Sequence, residues 1–139
     1  MDTEILAPAS TIFGRTGLAI HFEEGLIGCE DWKRFVLDTV PEAAPLMLLR
    51  SLDEPEVSFI VGDPRSVLAD YKLQPAESDL EALNCLSQKD LAALVIFNTG
   101  LEATLGKVTV NLLGPVAINL TSGAAKQIIQ PEYSAHHPL

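Results

Sequence analysis

The chain has 139 residues, 47% of them hydrophobic and 20% charged, a balance that suits one globular domain and argues against disorder. A chain of this length buries about two thirds of the surface it exposes when unfolded, so it needs no disulfide or metal staple. Nineteen acidic residues stand against nine basic ones, a formal charge of −10. That argues against direct binding to nucleic acid or an anionic membrane, because both draw on Lys and Arg to neutralise phosphate.

The acidity either serves solubility alone or faces a basic protein surface, whose encounter it would accelerate. Cys29 and Cys85 form no C-x-x-C pair and have no ligand set nearby, so a zinc site is not expected. The sequence alone leaves a disulfide between them open. The opening MDTEILAPAS lacks the basic start and apolar core of a signal peptide. The longest apolar run, Leu91 to Phe97, is far short of the roughly 18 residues that span a bilayer. A cytoplasmic protein with free thiols is expected.

In chain order, Thr3 to Leu6 is a candidate opening strand, paired through a turn at Arg15-Thr16-Gly17 with a second strand over Leu18 to Phe22. Phe22 to Trp32, FEEGLIGCEDW, is a loop in which Gly25 and Gly28 mark unusual backbone angles. Its acidic residues match no calcium-loop spacing, and glycine-bearing acidic loops are common connections. Arg34 to Asp38 and Leu46 to Leu52 read as strands separated by the proline-bearing linker Val40 to Pro45. Asp53-Glu54-Pro55-Glu56 is a tight acidic turn into a strand over Val57 to Val61, its carboxylates expected to point into water. They form either a solvated hairpin tip or part of an acidic contact surface. Asp63-Pro64 ends that strand, because proline cannot extend the ladder.

Tyr71 to Leu73 reads as another short strand. Ser78 to Glu81 has the S-x-x-E pattern of a capping box, which predicts a helix of two or three turns ending near Asn84, with Leu80 and Leu83 on one face. Leu91 to Phe97 is short and continuously apolar, as expected of a strand buried on both faces. Thr99 to Gly106 is read as a loop. The chain then reaches its most regular stretch, GKVTVNLLGPVAINLTSGAAKQIIQ, Gly106 to Gln130. Val108, Val110 and Leu112 alternate on one side of Gly114-Pro115, and Val116, Ile118 and Leu120 on the other. Period two with β-branched residues predicts a half-buried strand on each side. Pro115 has no N–H for a ladder, so the break belongs at a bulge or edge where the chain bends and stays in β. Thr121-Ser122-Gly123 is then a turn into an antiparallel strand over Ala125 to Ile129. Asn111 and Asn119 flank the corner, where their amides either pair with backbone or present a polar recognition point.

Chemistry-bearing motifs are sparse. No serine lies in G-x-S-x-G, neither cysteine has a catalytic setting, and there is no phosphate loop or dinucleotide fingerprint. His21 stands alone, and His136 and His137 point to opposite sides of an extended tail, so neither makes a metal site.

Four blocks in order give the chain a family resemblance: Phe22 to Leu37, Ser51 to Pro64, Val108 to Leu120 and Gln127 to Leu139. The most specific part is Asn111, Leu112, Pro115, Ile118 and Asn119 together with the tail Tyr133…His137-Pro138-Leu139. With these the chain resembles the FliW family of flagellar assembly factors. It departs from the family's usual F-P-x-G-x-x-G-F in having Glu23 for proline and Cys29 for an aromatic, and has His136 where arginine is favoured.

The resemblance implies a mainly β fold over residues 1–139, a compact single-domain antiparallel β-barrel-like unit with one or two short helices. It implies no catalysis and no cofactor. The implied partners are cytoplasmic flagellin, bound before export, and CsrA, a basic RNA-binding repressor of flagellin translation that is occupied until flagellin draws the factor away. The acidity fits a basic partner independently, and an apolar patch framed by polar residues would suit flagellin. Asp53, Glu54, Glu56 and Asp63 are the candidate CsrA contacts; Gly25, Gly28, Asn111, Pro115 and Asn119 are the structural motif; a monomer is expected. Two alternatives stand beside this reading: a small β-barrel enzyme or ligand carrier, and a flagellin chaperone that does not bind CsrA.

Overall fold

The computed structural model describes residues 17–85, 91–98 and 108–139. The expected strand at Thr3 to Leu6, with most of its turn, and the loop Thr99 to Gly106 lie outside them. Within the described residues eight strands follow in chain order: β1 Leu18–Phe22, β2 Arg34–Thr39, β3 Met47–Ser51, β4 Ser58–Gly62, β5 Leu91–Asn98, β6 Thr109–Asn119, β7 Ala124–Gln127 and β8 His137–Pro138. Among the described residues one α-helix, α1 Glu77–Ala82, precedes β5, and short 3-10 turns cover Pro41–Ala43 and Pro64–Ser66.

The strands pair in the order β5-β4-β3-β2-β1-β7-β6-β8, and β5 also pairs with β6, which closes a barrel of seven strands with β8 added outside β6. Every pairing is antiparallel except β1 with β7, which is parallel. Closure rests on two short seams, His21–Ala124 and Phe22–Ala125 on one side, Val61–Ile96 and Gly62–Val95 on the other.

Alternation along the strands fills the barrel. Ile20, Phe22, Phe35, Leu37, Met47, Leu49, Val61, Leu94, Val116 and Ile118 form one interior cluster, with Phe22 and Phe35 edge to face at 5.3 Å. Burying such a side chain contributes about 1.5–3 kcal/mol. An exposed ion pair such as Arg50–Asp38 at 3.1 Å contributes about 0–1 kcal/mol. The interior, not the surface charge, therefore holds the fold. β5 is buried on both faces as expected, because Leu91 and Ala93 pack outward beneath Leu83, Leu73 and Ile128 while Ala92 and Leu94 face inward.

The corner is sharper than its alternation suggests. Strand β6 runs unbroken from Thr109 to Asn119, but Leu94 pairs with Val116 and Ile96 with Asn111, so four residues, Leu112 to Pro115, stand opposite the single Val95. This wide bulge turns the strand over. Val110 and Leu112 lie in an outer cluster with Tyr71 and Val95, whereas Val116 and Ile118 point into the barrel. The two halves of the pattern thus serve different layers.

Two local expectations are corrected. Tyr71 to Leu73 is not a strand: the Tyr71 N–H turns back to the Leu68 carbonyl at 2.9 Å, and both main-chain groups of Lys72 go to side chains. Gln130, buried at the corner, donates from Nε2 to the Lys72 carbonyl and accepts the Gln74 N–H at Oε1, both at 3.0 Å. The Tyr133 hydroxyl accepts the Lys72 N–H at 3.1 Å. The helix begins at Glu77 rather than at a Ser78 cap: Ala76 is its N-cap, and Asp79 reaches back to accept the Ala76 N–H at 2.9 Å. Its end falls where expected. Asn84 takes a left-handed φ of 53°, with Asn84 N–H bonded to Glu81 and Cys85 N–H to Leu80 in a Schellman arrangement. Cys29 and Cys85 are not joined in a disulfide.

Replacing Gln130 with leucine strands the Lys72 carbonyl and the Gln74 N–H, so stability falls by about 2–6 kcal/mol at about 1–3 kcal/mol per unpaired group. A urea titration checks this; a loss below about 0.5 kcal/mol contradicts the assignment.

Candidate functional site: an acidic rim and its groove

The β3–β4 hairpin tip and the loop from β1 to β2 meet at one end of the barrel. Their junction is Asp53. Its Oδ2 accepts the Lys33 and Arg34 N–H groups at 2.8 and 2.9 Å, and its Oδ1 takes the Arg34 guanidinium through Nε and Nη2 at 3.0 and 2.9 Å. These bonds, the Arg34 and Lys33 backbone donors first, hold the Asp53 carboxyl down at about 2. The expectation that all the hairpin carboxylates point into water is therefore corrected for Asp53, which staples the hairpin to β2. Arg34 lies at the first position of β2, within reach of the turn after β3.

Glu54 and Glu56 remain exposed on the hairpin. Asp63 is elsewhere. It sits at the far end of β4, about 17 Å along a five-residue strand. There it accepts from the Arg65 N–H at 2.8 Å and from its guanidinium at 3.1 Å. The structure brings Glu54 and Glu56 together and leaves Asp63 apart.

Four acidic residues that no sequence pattern groups with Glu54 and Glu56 join them. Glu23, Glu24, Glu30 and Asp31, all exposed, lie on the β1–β2 loop at the same end. The loop is fixed by Gly25, whose φ is 71° and where any Cβ would strike the Glu30 backbone. Gly28, at φ 87°, donates its N–H to Glu30 Oε2 at 3.0 Å, which lowers the Glu30 carboxyl below its ordinary range. The signal that could have found this rim is topological: a loop ending at β2 and a hairpin leaving β3 must meet, because β2 and β3 are antiparallel neighbours.

Between this loop, the end of α1 and β7 lies a groove of about 510 Å³, lined by Glu23, Glu24, Glu30, Leu26, Leu83 and Lys126 among others. The Lys126 ammonium is engaged by Asp79 Oδ1 at 2.7 Å, a bond that raises its pKa. Of the corner amides, Asn111 Oδ1 accepts the Gly114 N–H at 2.9 Å, Asn119 Nδ2 donates to the Leu83 carbonyl at 2.8 Å, and Asn119 Oδ1 accepts the Thr121 N–H at 2.9 Å. Both serve backbone. Pro115 sits in the bulge with no N–H to satisfy. Among the described residues no cluster of His, Cys, Asp and Glu is arranged to hold a metal, and no helix is long and apolar enough to cross a membrane.

A small closed barrel with a filled interior and an acidic external rim is a protein whose surface, not its lumen, is available to a partner. The comparisons give it a family. The model described as FliW protein matches residues 9–139. Proteins named flagellar assembly factor FliW from Natranaerobius thermophilus and Clostridium novyi are each 34% identical over 122 residues, covering 86% of this chain and 80% and 84% of theirs. A crystal structure of the flagellar assembly factor FliW superposes with a TM-score of 0.76 at 29% identity, over 86% of this chain and 84% of that one. This chain belongs to the FliW family.

Because the Asp53 pKa is depressed in the folded state, its contribution to stability is complete above about 3.8 and is lost as pH falls toward about 2. Asp53→Asn therefore lowers the urea midpoint at pH 5, and the gap to the native protein closes between pH 4 and pH 2. A gap that stays constant across that window contradicts the staple.

Proposed function

We propose that this chain acts in flagellar assembly as a non-catalytic binding protein of the cytoplasm. It holds flagellin before export, and it occupies CsrA and so relieves repression of flagellin translation. The observation that carries the reading is family membership over nearly the whole chain, joined to a rim where Glu23, Glu24, Glu30, Asp31, Glu54 and Glu56 stand exposed at one barrel end.

Such a rim suits a basic partner. Its field raises the rate of encounter and repels RNA from a shared neighbourhood. Ile27 and Leu52 are exposed at the same end, which supplies the apolar element suited to flagellin. The alternative of an enzyme or ligand carrier needs a closed pocket with convergent polar groups. Here the described interior is occupied by Phe22, Phe35, Leu37, Leu49 and Ile118.

Titration calorimetry of the chain against CsrA and against flagellin from the same genome tests the reading. Saturable micromolar binding of both is expected; binding of neither overturns it, and binding of flagellin alone removes the CsrA half. The double reversal Glu54→Lys, Glu56→Lys should slow association with CsrA by about tenfold at low salt and flatten its salt dependence. An unchanged on-rate removes these two residues from the contact.

A further inference from the structure

β1 runs beside β7 for only two residue pairs and leaves it at Glu23. Beyond that point β7 has no strand on its outer side among the described residues. The direction of its backbone groups follows from the ladder with β6. Ile128 N–H bonds to Pro115 O at 2.9 Å and Gln130 N–H to Leu113 O at 2.7 Å. In an antiparallel pair hydrogen-bonded and non-bonded positions alternate, so Gln127, opposite Val116, is a non-bonded position. Its main-chain N–H and C=O therefore point away from β6 and toward the groove. Its side chain is already committed, accepting the Ile27 N–H at Oε1 and donating from Nε2 to Gly114 O, both at 2.9 Å.

The groove's chemistry says what such an edge would receive. Leu26, Ala82, Leu83 and Ala125 supply apolar surface, and the exposed Ile27 adds to it. Glu23, Glu24 and Glu30 supply three carboxylates, and Lys126, the one cation among the described lining residues, is paired with Asp79. Its volume of about 510 Å³ lies within the roughly 300–1,000 Å³ of ligand clefts. An added strand presents side chains alternately to its two faces, so apolar residues can meet the one surface while basic residues meet the carboxylates.

We propose that the edge of β7 at Gln127, without a neighbouring strand among the described residues, takes an extended, lysine- or arginine-bearing segment of a partner protein as an added strand. The proposal rests on the binding-protein reading above and deepens it by assigning a docking mode and a chemistry to the groove.

The test uses the full chain, labelled with nitrogen-15, and two peptides of about ten residues, one alternating valine with lysine and one alternating valine with glutamate. The lysine peptide should bind saturably, shift the Lys126 and Gln127 amides most, and slow hydrogen exchange at Gln127 N–H. The double reversal Glu23→Lys, Glu24→Lys should weaken it by about tenfold, whereas reversal of Glu54 and Glu56 should change it less than about twofold. If the reversal perturbs folding, E23Q with E24Q carries the same comparison. Equal binding of both peptides, shifts centred on residues 53–56, or no binding at millimolar concentration overturns the site. Peptide binding that persists when CsrA and flagellin both fail to bind leaves the edge site standing and overturns only the named partners.

Discussion

The bulge at Leu112 to Pro115 is the constraint on which the rest of the structure depends. Four residues opposite one cannot be paired by a regular ladder, and unpaired backbone groups in the interior would cost about 1–3 kcal/mol each. The chain satisfies them from three directions. Ser134 O accepts the Leu112 and Leu113 N–H groups, and Asn111 accepts that of Gly114. Tyr71 donates its hydroxyl to Leu112 O at 2.9 Å, Gln130 its backbone N–H to Leu113 O, Gln127 its side chain to Gly114 O, and Ile128 its N–H to Pro115 O. Pro115 needs no partner for an N–H it lacks. Burial in this setting, with Tyr133 and Glu132 nearby, also pushes the Tyr71 phenol well above its ordinary range, so it stays a donor.

The corner's consequences reach the rim. By turning β6 over, it lets one strand line the barrel with Val116 and Ile118 and cover an outer layer with Val110 and Leu112. The same side chain that satisfies Gly114 holds the acidic loop: Gln127 bonds to Gly114 O at one end of its amide and to Ile27 N–H at the other. The position of Glu23, Glu24 and Glu30 is thereby tied to the corner through one residue. Asp53 supplies the second tie, from the hairpin to β2. The carboxylates that remain free are thus presented by a frame whose backbone bonds are made before any partner arrives.

Much of this was legible in the sequence where local rules decide. Strands β1 to β6 follow period two or an apolar run, β7 is marked by the Thr121-Ser122-Gly123 turn before it, and Gly114-Pro115 marks the corner because proline cannot serve a ladder. What local rules could not show was which layer each half of β6 serves, since that depends on how many residues face Val95. Tyr71 to Leu73 has strand-like alternation, with Tyr71 and Leu73 buried and Lys72 exposed. Its neighbours, however, are the side chains of Gln130 and Tyr133, which come from 56 or more positions away. The capping signal was displaced for a similar reason: Asp79 competes with Glu81 for the same role and reaches Ala76. Of the candidate contacts, Glu54 and Glu56 were readable as an exposed turn. Asp53 was not separable from them, because its partner Arg34 is 19 residues upstream.

The most direct measurement is native-state hydrogen exchange at the corner of the unliganded protein. If the bulge is the fixed point of a preformed frame, the amides of Leu112, Leu113, Ile128 and Gln130 open only with the whole barrel. Their opening free energies then match those of Ala92 to Leu94 within about 1 kcal/mol. Exchange at the corner through local openings several kcal/mol below the global value would contradict the account, and would make the corner a moving part rather than the support of the rim.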